Sequence, residues 1–237
     1  MAKDDWTSAE VIDFDRFLQV ELGIEAALLM ENAGAALARF CQEILTAHEC
    51  RQILAICGPG NNGGDAAVAL RHLAGSVPSH LWYPLGAPSE AATLGFKSMT
   101  AAVNAGVALK TGNTPPLPLD DDLLVIDALF GVGLSRPIDA KSPAGKAIKT
   151  CNDSNAPVIA VDIPSGLDCD SGQIQGVSCR ADYTMSFVAA KQGFSRGDGP
   201  TFCGKLKFAD IGVSAELATE WLLRQRSQAS RNSRQDC

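Results

Sequence analysis

The sequence predicts an α/β protein: a three-layer αβα, Rossmann-like single domain on a doubly wound, mostly parallel sheet. Three observations predict it. Short apolar runs, "QILAIC", "LLVID" and "PVIAVD", alternate along the chain with stretches of helical periodicity. These runs are apolar throughout, as in strands covered by helices on both faces. The chain has 237 residues, 46% hydrophobic and 20% charged, which suits one large α/β domain.

The elements follow in order. "TSAEVIDFDRFLQVELG" reads as a helix, with Thr7 and Glu10 as a capping box and Gly23 as a stop. "IEAALLMENAGAALARFCQEIL" reads as a second, mostly buried helix. The strand "QILAIC" runs into a glycine- and asparagine-rich loop, and a helix is expected from Ala66 to Ala74. "SHLWYPL" is a strand, and residues 89–105 are a helix. After "NTPPLPLDDD" come the strand "LLVID", a helix near 142–152, the strand "PVIAVD", and strands around "YTMSFV" and "GKLKFADIG". The domain is expected to span 1–225. The basic segment "RQRSQASRNSR" lacks apolar residues to fold with, so 226–237 is expected to be a disordered tail.

Composition excludes several classes. A net charge of −7 argues against nucleic acid, which needs a basic footprint. The N-terminus has no apolar signal region and no arginine-rich mitochondrial character, and no run approaches the ~18 apolar residues of a membrane span. A cytoplasmic protein without membrane contact is therefore expected. The eight cysteines are scattered without a C-x-x-C pair, and the three histidines are isolated. Reduced thiols and no zinc site are expected; His72 and His80 read as structural.

In doubly wound folds ligands bind at the carboxyl ends of the strands. Three strand ends here carry polar cargo: Asn61, Asn62 and Asp65; Asp127; and Asp162 with Ser165. Any one aspartate could merely cap a turn; three at one sheet edge point to a ligand. Residues 58–63 satisfy G-x-G-x-x-G, yet the next strand ends in "GAP" with no acid for a ribose, and no Lys-Ser/Thr follows for a Walker loop. A carboxylate at the helix start is also unsuited to a bare phosphate. The loop reads as built for a nucleotide-like ligand in another manner.

Five motifs then carry a resemblance: "LMENAG" at 29–34, "GPGNNGGD" at 58–65, "DALFGVGLSRPI" at 127–138, "AVDIPSGLDCDSG" at 160–172 and "AAKQGF" at 189–194. In this order they resemble the NAD(P)H-hydrate epimerase family, the YjeF N-terminal domain, in a stand-alone form without the dehydratase domain. The resemblance implies substrate contacts from Asn61, Asn62, Gly63, Gly64 and Asp65, from Gly131, Val132, Gly133, Leu134, Ser135, Arg136 and Pro137, and from Asp162. It implies one potassium ion (K+) per subunit held by Asn62, Asp127 and Ser165. It also implies hydrated NADH or NADPH as substrate and a separate dehydratase as functional partner; the sequence leaves the oligomeric state open, a homodimer included. The sequence departs from the family pattern at Ala66, where a glycine is usual.

The implied reaction inverts C6 of the hydrated nicotinamide ring. The C6 hydroxyl is protonated and leaves as water, the N1 lone pair forms an iminium, and water returns to the other face. Asp162 is the candidate acid/base. Lys191 reads either as a ligand for the substrate's phosphates or as a surface lysine, and Arg136 as a phosphate partner. Glu31 and Asn32 read as bonding to nearby backbone and loops. Two other classes stay open: a non-catalytic nucleotide-binding or scaffold module on the same fold, and another nucleotide enzyme such as a Rossmann-like methyltransferase.

Overall fold

The computed structural model describes residues 5–235, with side chains to Arg231. Seven strands form one sheet: β1 (Gln52–Cys57), β2 (Ser79–Tyr83), β3 (Ala108–Thr111), β4 (Leu123–Ala128), β5 (Val158–Val161), β6 (Tyr183–Phe187) and β7 (Lys205–Ala209). Their order is β3-β2-β1-β4-β5-β6-β7, and every pairing is parallel. The chain winds outward from β1 to β3, then returns to β4 and winds the other way. The point of reversal lies between β1 and β4, where the register pairs Ile56 with Asp127.

The helices are α1 (Ser8–Val20), α2 (Ala26–Ala47), α3 (Asn61–Leu73), α4 (Thr93–Asn104), α5 (Pro143–Asn152), α6 (Gly199–Phe202) and α7 (Ala215–Gln235). Alternate residues of β1 face opposite sides. Ile53, Ala55 and Cys57 join a core with α2, α3 and α4; Leu54 and Ile56 join one with α5. Burial on both faces is why the strands read as unbroken apolar runs.

The sequence reading differs from the fold at three places. α3 begins at Asn61 rather than Ala66, so "NNGGD" is the helix's opening, not a loop before it. β3 was not expected: "ALKT" is a four-residue edge strand, exposed along its length. Finally, the segment from 226 onward is helical to Gln235, not disordered; residues 236–237 lie outside the described residues. Upstream, Ala218, Trp221 and Leu222 form a buried stripe against Trp6 and Phe14 of the N-terminal segment. Arg226 then binds both carboxylate oxygens of Glu10, at 2.7 and 2.9 Å. Packing, not local composition, carries the helix past 225.

α1 carries the expected capping box: Glu10 N–H donates to Thr7 Oγ1 at 3.2 Å and Thr7 N–H to Glu10 Oε2 at 2.8 Å. The helix stops at Val20, three residues before Gly23, which takes a positive φ of 66° in the connection to α2. No helix among the described residues is long and apolar enough to cross a membrane.

Candidate active site

A cleft of about 740 Å³ opens above the carboxyl ends of β1, β4 and β5. One wall is polar: Asn61, Asn62 and Asp65 on α3, and Asp162 after β5. The other is apolar, with Trp6, Phe14 and Leu18 from the N-terminal segment and α1, and Leu29 and Met30 from α2. The charged residues that line it are Asp15, Asp65 and Asp162; no Lys, Arg or His does so among the described residues.

Two glycines draw the polar wall together. A Cβ on Gly63 would sit 2.0 Å from Gly58 O, and one on Gly58 would sit 2.0 Å from Leu129 O. Only bare backbone lets the first turn of α3, the end of β1 and the loop after β4 touch. Gly63 and Gly64 are buried in this packing and do not line the cleft. They shape the wall by packing. Ala66 is fully buried in the core beneath α3, outside the cleft, and needs no positive φ.

The loop after β4 divides in two. Gly131, Val132, Gly133 and Leu134 line the cleft, whereas Ser135, Arg136 and Pro137 are exposed beyond its lining. Arg136 is thus solvent-exposed outside the cleft lining. Gly131 is the junction of the site. A Cβ there would lie 3.2 Å from Asn62 Oδ1 and 3.7 Å from Asp162 Oδ2, so both side chains flank it.

Asp127 ends β4 beneath the cleft and is 1% exposed. Ser165 donates to it twice, from the backbone N–H to Oδ2 at 2.8 Å and from Oγ to Oδ1 at 2.6 Å. Ser165 Oγ also lies 3.2 Å from Phe130 O. Burial pushes the Asp127 carboxyl up, and the Ser165 bonds work against it. Asn62 Nδ2 is buried with no hydrogen-bond partner among the described residues. Carboxylate, hydroxyl and carbonyl groups therefore gather around Ser165.

Asp162 is held differently. Its φ is +67°, rare for a residue other than glycine. Ile163 N–H donates to Val161 O at 2.8 Å across it, which makes a γ-turn of the strained, positive-φ kind. The carboxylate pairs with the Lys191 ammonium. Lys191 is 1% exposed, not the surface lysine or phosphate ligand that the sequence allowed. Its isolation among apolar neighbours in "SFVAAKQGF" was the one signal of burial in the sequence, and no nearby acid marked its partner.

Asp65 lines the cleft one turn after Asn62 on the same face of α3, and its carboxylate has no hydrogen-bond or ion-pair partner among the described residues. Burial, the Asp162 charge and the Asp15 charge all push its carboxyl well up from the ordinary range. Asp15, on α1, was missed by sequence reasoning because a charge on an amphipathic helix looks like a solvated face. Burial also drives the thiols of Cys41, Cys169 and Cys203 up to about 12, which leaves them inert as nucleophiles.

Away from the cleft, Glu31 pairs with Arg71 and His72, rather than with backbone. Asn32 donates to Ile211 O at 3.0 Å, as expected of it.

A doubly wound parallel sheet with a carboxylate-lined cleft at its point of reversal defines a Rossmann-like domain, a class whose ligands bind outside the strand ends. The chain belongs to the family described as YjeF-related protein N-terminus, whose model matches residues 26–193. It is 36% identical over 215 residues to the NAD(P)H-hydrate epimerase of Weissella koreensis, covering 87% of this chain and 90% of that protein. It is 38% identical over 192 residues to the NAD(P)H-hydrate epimerase of Achromobacter xylosoxidans, covering 78% and 86%. The bifunctional NAD(P)H-hydrate repair enzyme Nnr of Thermofilum pendens is 37% identical over 216 residues. That match covers 88% of this chain but 40% of the archaeal protein, so the chain spans about two fifths of that bifunctional relative. The crystal structure of yeast ynu0 superposes with a TM-score of 0.69 at 22% identity over 87% of each chain, a likeness of fold.

Proposed function

We propose that this protein is an NAD(P)H-hydrate epimerase, an isomerase that interconverts the R and S forms of hydrated NADH and NADPH at C6 of the nicotinamide ring. The observation that carries this reading is the meeting of Asn61, Asn62, Asp65 and Asp162 in one cleft with an apolar far wall. The relatives named as epimerases, matched over most of their own length, support it.

The reaction is redox-neutral and returns its proton. A proton is delivered to the C6 hydroxyl, the C–O bond breaks, and water leaves while N1 forms a double bond to C6. Water then adds to the opposite face and gives a proton back. Asp162 Oδ1 is taken up by Lys191. Oδ2, on the Gly131 side, is the atom proposed to exchange the proton and to face the iminium charge. The apolar wall from α1 and α2 holds the ring and excludes bulk water. Asn61, on the first turn of α3, presents its side-chain amide and a helix N-terminus to anionic parts of the ligand.

Asn62, Asp127 and Ser165 are proposed to hold one potassium ion per subunit. Their hard oxygens, with Phe130 O beside them, suit a hard cation and do not suit zinc. When bound, the ion supplies fixed positive charge beneath the strand ends. The product with S configuration would pass to a dehydratase, an activity that bifunctional relatives carry by name only as "repair".

The test supplies R-hydrate together with a dehydratase specific for the S form. Micromolar protein should carry conversion to completion. Conversion no faster than the spontaneous epimerisation would overturn the reading.

A further inference from the structure

Lys191 is a fully buried lysine that the proposed reaction leaves without a role. Its ammonium bridges the ends of two neighbouring strands. It binds Asp162 after β5, Ser186 Oγ in β6 at 2.5 Å, and the carbonyl of Phe187 at the end of β6 at 3.3 Å. All three ammonium protons are used, which a lysine 1% exposed requires.

Both strand ends that it bridges are strained. Asp162 sits at φ +67° and Val188 at φ +66°. Each is the middle residue of a γ-turn, closed by Ile163 N–H to Val161 O and by Ala189 N–H to Phe187 O, both at 2.8 Å. A β-branched residue at positive φ is a genuine outlier. Both residues line the cleft. Such turns persist only where surrounding bonds over-determine them. Lys191 contacts the first through its side chain and the second through the Phe187 carbonyl that closes it. Its own backbone is fixed from outside, because Trp6 N–H donates to Ala190 O at 2.8 Å and Gln192 N–H to Trp6 O at 2.9 Å.

We infer that Lys191 is the positioning residue of the site: its ammonium locks the Asp162 carboxylate over the cleft, one oxygen held and the other presented to substrate, by tying together the two strained turns. Lys191 acts through Asp162 and does not touch substrate. The inference rests on the epimerase reading for its assay, not for its geometry.

The test is a double-mutant cycle with Lys191→Met, which keeps the length of the side chain and removes the charge, and Asp162→Asn. Rates are taken per folded molecule, with circular dichroism and thermal melting on each variant. K191M should lower kcat roughly 10²-fold, the scale of misplacing a reacting group, with KM little changed. In the D162N background K191M should cost nothing further, because the group it positions is already gone. A structural role would instead lower the rate by the same factor in both backgrounds, and that result would overturn the inference, as would K191M with an undiminished kcat. If K191M does not fold alone, the double variant against D162N decides: equal rates support the inference, and a further loss overturns it. Wild-type protein without epimerase activity would sink the functional reading. In that event a crystal structure of K191M remains decisive, since Asp162 should leave positive φ, and its staying there would overturn the positioning role by itself.

Discussion

β4 and β5 run side by side, and each ends in an aspartate at the same edge of the sheet, yet the two ends are built for opposite purposes. Asp127 closes β4 with ordinary strand backbone. It is buried, and Ser165 satisfies both of its oxygens. Asp162 follows β5 in a strained γ-turn, with one oxygen paired to Lys191 and the other side open to the cleft. The first is a carboxylate spent on structure, at the place proposed for the cation. The second is held ready by bonds that do not consume it. Position at a strand end thus makes an aspartate a candidate; its partners decide what it does.

The sharpest way to break this contrast is to turn each aspartate into its amide. Asp162→Asn should lower kcat by about 10²-fold or more with KM little changed. The amide oxygen of asparagine still accepts from the Lys191 ammonium, so the turn survives, although Lys191 loses its anionic partner and some stability goes with it. Steady-state kinetics on the mutant decide the matter: a raised KM with kcat intact would make Asp162 a binding residue.

Asp127→Asn should act on stability first. The amide offers one acceptor oxygen where Ser165 brings two donors, so one buried donor is left over at a cost of about 1–3 kcal/mol. Wild-type melting temperature should rise with potassium over a background of larger organic cations, as binding to the folded state requires. The same titration on D127N should be flat. A wild-type protein indifferent to potassium would remove the cation from the site and leave Asp127 purely structural.

The smallest effect sharpens the comparison from outside it, at the α1–α7 contact that closes the apolar wall. Arg226→Ala removes a half-exposed pair with Glu10 worth about 1 kcal/mol or less, or about 2–4 °C in Tm. Burial pushes Glu10 up, but the Arg226 and Thr7 hydrogen bonds and the Arg226 charge outweigh it and hold the carboxyl below its ordinary 4.5. A depressed carboxylate stabilises above its unfolded value. The difference between R226A and wild type should therefore be full near neutrality and vanish as pH falls below about 4.5. Thermal melts at pH 7 and pH 3 check the sign.

The sequence by itself determined the layered parallel fold, because strands buried on both faces must be apolar throughout, and it placed Asn62, Asp65, Asp127, Asp162 and Ser165 at one edge, because the strand ends of a parallel sheet all open on the same side. It could not show that Gly63 and Gly64 serve packing, since a glycine's neighbours come from other segments. It misjudged the chain after 225, where helix formation depends on Trp221 stacking on Trp6, more than two hundred residues away. Above all, only the tertiary structure joined Lys191 to Asp162. The two lie 29 residues apart on neighbouring strand ends, and no local pattern of charge or period records which buried cation a parallel register will set beside which carboxylate.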